Sequence, residues 1–166
     1  MPRQSGYVFT QEARRKVADM VNRSKRLYAK SLLERFLACQ ITNDDFNDSF
    51  PCDKADAALE AIYCNIWPYY SENRTHKLDG KHALQPEAEE LFRRCVVFLA
   101  SNLEYEWPPY EWIDLKYGFM RLFASSKKID EQFERFKARG EFAVWPFIRQ
   151  SDYLACLRRA GSPQVG

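Results

Sequence analysis

The chain has 166 residues, 46% of them hydrophobic and 15% aromatic, and a net charge of +2. That length suits one domain with a sizeable core, and the apolar content excludes an intrinsically disordered segment. The longest apolar run, Cys95 to Ala100, is far shorter than the roughly 18 residues of a membrane-spanning helix, so no membrane partner is expected.

The small net charge hides a segregation. Residues 1–40 carry nine Lys/Arg against three Asp/Glu, residues 41–106 six against thirteen, and residues 107–166 ten against seven. Such regions are expected to pair within the fold or to meet a charged partner, rather than to coat a general nucleic-acid binder. The N-terminus has no apolar signal core. The five cysteines show no Cys-x-x-Cys spacing, which suits buried thiols in a reducing cytoplasm.

In chain order, residues 1–9 are expected to be flexible, residues 10–160 to form one helical domain and residues 161–166 to be a loose tail. From Gln11 the apolar residues Val17, Met20, Val21, Leu27, Tyr28, Leu32, Phe36 and Cys39 follow helical spacing. Asn22-Arg23-Ser24 is a weak point, so the run is one long helix or two. Its other face carries Arg14, Arg15, Arg23, Arg26 and Lys30. These are the candidate contacts of a nucleic-acid backbone, although a solvated face is the simpler expectation.

An acidic stretch, Ile41 to Pro51, follows. Thr42 and Asp45 are spaced for a reciprocal capping box, which predicts a short helix with Asp44 and Asp45 in its first turn. An EF-hand loop is disfavoured, because Asp48 stands where glycine is needed and Lys54 where a bidentate glutamate is needed. Asp53 is the expected N-cap of the next helix, whose stripe Ala55, Ala58, Leu59, Ile62, Tyr63, Ile66 and Trp67 ends at Pro68.

The polar stretch from Ser71 to Gln85 holds the only histidines, His76 and His82, with Asp79-Gly80 as a tight turn. Cationic neighbours, and no Cys or Glu at suitable spacing, argue against a metal here; anion binding suits the stretch better, and an ordinary surface loop suits it best. Pro86 opens the next helix, apolar through Ala88, Leu91, Phe92, Cys95, Val96, Phe98 and Leu99, which is expected to be central. The connector Leu103 to Trp112 contains two consecutive prolines and cannot be helical throughout. Helical spacing resumes from Trp112 to Ala124 and again from Ser126, with Gly140 as a C-terminal cap. Residues 142–145 are expected to be extended, and a last helix covers about 151–159.

Trp-Pro occurs three times, at Trp67-Pro68, Trp107-Pro108 and Trp145-Pro146. Trp67 and Trp145 suit core positions, whereas the 105–112 stretch suits the core and an exposed aromatic patch equally. The chain has no Gly-rich phosphate loop, nucleophile elbow or His-x-x-x-His, so no catalytic residue is expected.

Ile41-Thr42-Asn43-Asp44-Asp45-Phe46, Leu78-Asp79-Gly80-Lys81, Tyr105-Glu106-Trp107-Pro108 and Val144-Trp145-Pro146-Phe147 together resemble a family of small uncharacterised bacterial proteins. The resemblance spans about residues 30–155. It implies a bacterial source and cytoplasmic residence, and it carries no activity.

The resulting expectation is an all-α, irregular bundle of six or seven helices with a Trp/Pro-rich connector, its core built on residues 54–67 and 86–102. The expected function is that of a protein-binding module without cofactor or metal. One concrete form is an immunity-type protein that neutralises a basic toxin domain. Its candidate contacts are Asp44, Asp45, Asp48, Glu104, Glu106, Trp107, Tyr110, Glu111 and Trp112. The alternative is a nucleic-acid binder using the basic N-terminal face.

Overall fold

The computed structural model describes residues 21–53, 55–72, 74–108, 131 and 134–161. Among them the chain is all-α, without a strand. Helix α1 is Arg23–Leu37, α2 is Asn43–Ser49, α3 is Ala57–Ile66, α4 is Pro86–Ala100 and α5 is Gln150–Gly161. Short 3-10 turns occupy Trp67–Tyr69, Gly80–His82 and Phe142–Val144. No described helix is long and apolar enough to cross a membrane.

The weak point at residues 22–24 is a helix start. Asn22 caps α1 by accepting from the Lys25 amide, as its short side chain favours. The helix ends with Cys39 in the left-handed region at φ 56°. There the Cys39 amide donates to Phe36 O and the Gln40 amide to Arg35 O, each at 2.9 Å, a paired closure that satisfies the last carbonyls.

The inward face of α1 is Arg26, Ala29, Leu32, Leu33 and Phe36. The stripe therefore runs through Arg26 and not through Leu27 and Tyr28, which are 44% and 51% exposed. Arg26 is inside because Asp56 is there to meet it. Its Nε donates to Asp56 Oδ2 at 2.6 Å and its Nη2 to Oδ1 at 2.8 Å, while Nη1 reaches Leu103 O at 2.7 Å.

Asp56, not Asp53, is the N-cap of α3, accepting from the Ala58 amide. Asp53 closes a turn by accepting from the Ala55 amide at 2.9 Å and pairs with Lys25 at 3.1 Å. The Thr42–Asp45 box forms with both reciprocal bonds.

Helix α4 is central, packed along α1 and touched by α5 and α3. Its main partner is thus α1, where the sequence pointed to α3. Phe92, Cys95, Phe98 and Leu99 are buried on it, each apolar side chain of that size contributing about 1.5–3 kcal/mol by leaving water. Two aromatic groups fill the core. One joins Phe36, Phe46 and Tyr70, with Phe36 stacked on Phe46 at 4.9 Å. The other joins Phe98, Tyr105, Trp145 and Phe147.

Trp145 donates to the Tyr105 hydroxyl and Trp107 to Phe147 O, both at 3.2 Å. Both tryptophans are therefore core residues with satisfied N–H groups. Trp67, expected in the core, is 46% exposed instead: its backbone continues the helix, bonded to Tyr63 O, and at about 3.6 residues per turn that position falls on the side opposite Ala58 and Ile62. Residues 142–144 form a 3-10 turn, not an extended piece. Gly140 is required by proximity: a Cβ there would lie 2.7 Å from Ile148 O.

Candidate functional site

The segment from Trp67 to His82 is held by α2, and the hold starts with Asn43. Its amide donates to His76 O at 2.9 Å. Its side-chain Oδ1 accepts from the His76 amide at 2.8 Å, and its Nδ2 donates to Arg74 O at 3.2 Å. Asn43 thus satisfies an otherwise irregular backbone at three points. Beside it Thr75 donates its hydroxyl to Asp44. Lower on α2, Asn47 Oδ1 accepts from the Tyr63 and Tyr70 hydroxyls at 3.2 and 3.0 Å. Burial pushes the Tyr70 phenol well above its usual range, so it serves as a donor throughout the physiological range.

Within this frame the two histidines converge. The His76 ring is buried and its Nδ1 lies 2.8 Å from Arg74 O. That contact requires a proton on Nδ1 and leaves the lone pair on Nε2. His82 sits on the 3-10 turn begun by Gly80, whose φ of +53° is readily adopted only without a Cβ. The two rings stack at 4.1 Å with 23° between their planes.

Glu72 completes the group, with Oε1 3.3 Å from His82 Nδ1. A ligand atom from each of Glu72, His76 and His82 lies within 4.8 Å of the others. Glu72 and His76 stand four positions apart and the histidines six, in a stretch where the described residues form no regular element until the Gly80–His82 turn. The sequence signal was the histidine pair around a turn; the glutamate went unrecognised because only the folded loop brings it back.

The expected partner-binding residues are divided by the fold. Asp44 and Asp45 bond Thr75 and Thr42 at the start of α2. The Asp45 carboxyl is held below the usual carboxylate range, chiefly by the Thr42 backbone amide and then by its hydroxyl. Asp48 is exposed. Glu104 is half-buried, and Glu106 lies 3.5 Å from Arg149. Trp107 is only 3% exposed, so it cannot anchor a partner on this surface; its N–H bond and its rings' contacts with Phe136 and Phe142 explain why. Tyr110, Glu111 and Trp112 lie outside the described residues.

The basic face is likewise engaged by the fold. Arg26 is buried against Asp56. Arg23 Nη1 donates to Ala100 O at 2.6 Å and Ser101 O at 3.0 Å, at the negative end of the α4 dipole. Lys30 pairs with Glu34 at 2.7 Å. Arg14 and Arg15 lie outside the described residues. What the described surface does offer is Trp67 and Tyr69, 46% and 52% exposed on a single 3-10 turn. Neither was among the residues expected to face a partner.

Comparison of the chain with protein-family models, with curated proteins and with solved structures finds no match.

Proposed function

We propose that the chain acts by binding a basic protein partner through the edge formed by α2, α3 and the turn after them. The observation that carries this reading is the exposure of Trp67 and Tyr69 on a turn pinned by Pro68. Large aromatic side chains held in place lose little freedom when a partner covers them, and such residues dominate interface energetics. Residues 41–72 carry seven Asp/Glu and one Lys. Two of those carboxylates, Asp53 and Asp56, answer Lys25 and Arg26 inside the protein. Asp48 and Glu60 remain exposed on α2 and α3, which favours a cationic partner and fast, salt-sensitive association. An immunity-type inhibitor of a basic toxin domain is one protein of this kind.

The experiment is capture of the partner from the native cell on the purified chain, beside the W67A/Y69A double variant. Both positions are exposed, so far-UV circular dichroism of the variant should match the parent. A basic protein retained by the parent, lost by the variant and released by added salt is the expected outcome. Equal retention by both chains, or retention indifferent to salt, would refute the reading.

A further inference from the structure

We propose that Glu72, His76 and His82 bind a borderline divalent cation of the zinc class, one per chain. Among the described residues, His82 Nδ1 is the one buried side-chain nitrogen or oxygen without a hydrogen-bond partner. It faces the Glu72 carboxylate at 3.3 Å, within ion-pair reach but outside hydrogen-bond geometry. A buried polar atom left in this state is costly. A cation shared with the carboxylate satisfies both groups at once.

The second imidazole already has its tautomer fixed for ligation. A metal-binding histidine donates its other ring N–H to a carbonyl or carboxylate, which fixes the tautomer and raises the basicity of the ligating nitrogen. His76 Nδ1 has that partner in Arg74 O, and Asn43 Nδ2 fixes the same carbonyl. Two imidazoles and one carboxylate suit Zn2+ and its neighbours in the transition series, whereas Ca2+ and Mg2+ prefer all-oxygen sets. Three protein ligands leave a fourth position for water.

Binding needs a small closure. Nitrogen and oxygen ligands about 2.0–2.2 Å from a shared ion lie roughly 3.3–3.5 Å apart, closer than the 4.8 Å limit within which these atoms now sit. The imidazole lone pairs also lie in the ring planes, so rings stacked 23° from parallel must splay to converge. The freedom is there: Glu72 is exposed, and His82 rides on a three-residue turn. The loop cations Arg74, Lys77 and Lys81 are exposed, where solvent and salt screen their opposition.

The test is calorimetric titration of the purified full chain with ZnCl2, together with thermal unfolding and the Co2+ absorption spectrum. The expected result is one ion per chain and a Tm raised by about 5–10 °C at a hundredfold excess of Zn2+ over its Kd. The Co2+ complex should lack a thiolate charge-transfer band. Both H82A and E72Q should weaken binding by more than about tenfold, with far-UV circular dichroism unchanged. If H82A fails to fold, E72Q, at an exposed position, carries the comparison alone. No saturable binding, affinity unchanged in the folded variants, or a thiolate band from Cys39, Cys52 or Cys64 would each overturn the assignment. Because neither Trp67 nor Tyr69 ligates the ion, its failure would leave the partner-binding proposal standing.

Discussion

Replacing Arg26 by Met isolates a buried ion pair that ties α1 to the start of α3. Arg26 and Asp56 are both fully buried, and their side chains meet through two bonds of 2.6 and 2.8 Å. The guanidinium also donates to Leu103 O and lies 5.2 Å from the centre of the Phe98 ring. Methionine keeps the apolar stem but leaves the Asp56 carboxylate buried without its counter-ion. Two donors stay with that carboxylate, the Ala58 amide at 3.2 Å and the Asn22 amide at 3.0 Å, and they soften the loss without removing it. Breaking a buried pair from one side costs about 3–5 kcal/mol, which for a chain of this size lowers Tm by roughly 6–20 °C. Urea unfolding followed by circular dichroism measures it directly.

The double variant R26M/D56N separates the pair from the site. Asn is a good N-cap, so D56N retains the start of α3 while stranding Arg26. The double variant should recover most of what the two single variants lose, with a coupling above about 2 kcal/mol. A loss under about 1 kcal/mol in R26M, or strict additivity in the cycle, would refute the view that this pair organises the interior.

Thr42→Ala removes the hydroxyl cap of α2 and should cost about 1 kcal/mol by urea unfolding. Asp45 has its carboxyl held low by the same box, so its ionised form is favoured by folding. That contribution is complete above the ordinary carboxylate range near ~4 and disappears as pH falls through the lower folded value. The acid limb of the stability curve should therefore be shallower in D45N than in the parent, measured by unfolding between pH 6 and the acid transition. Asn47→Ala removes the acceptor that the Tyr63 and Tyr70 hydroxyls share, and the buried Tyr70 hydroxyl should cost about 1–3 kcal/mol if it stays dry; a loss of only a few tenths would mean that water replaces Asn47 freely.

The candidate site was half legible. The histidine pair around Asp79-Gly80 is visible in the sequence, because a tight turn brings its flanks together whatever the rest of the chain does. Glu72 was invisible as their companion, since its approach depends on Asn43 holding Arg74 and His76 from α2, about thirty residues earlier. Trp67 lies outside its expected core position, and Trp107, for which core and surface were equally expected, lies in the core, for a similar reason. Both precede proline, and what distinguishes Trp107 is the packing of the Phe136 and Phe142 rings against it and the bond from its N–H to Phe147 O.

What the sequence determined by itself is what acts over one or two turns. The Thr42–Asp45 box, the proline at the start of α4, the apolar circumference of that helix and the all-α class need only neighbours a few residues away. Tertiary structure decided the fate of the charges. Arg26 looks like any cation on a basic helix, yet it occupies the inward row with Ala29, Leu33 and Phe36. It does so because Asp56, thirty residues on, compensates it there, and a charge enters a low-dielectric interior only with such a partner. No pattern confined to either segment contains that fact.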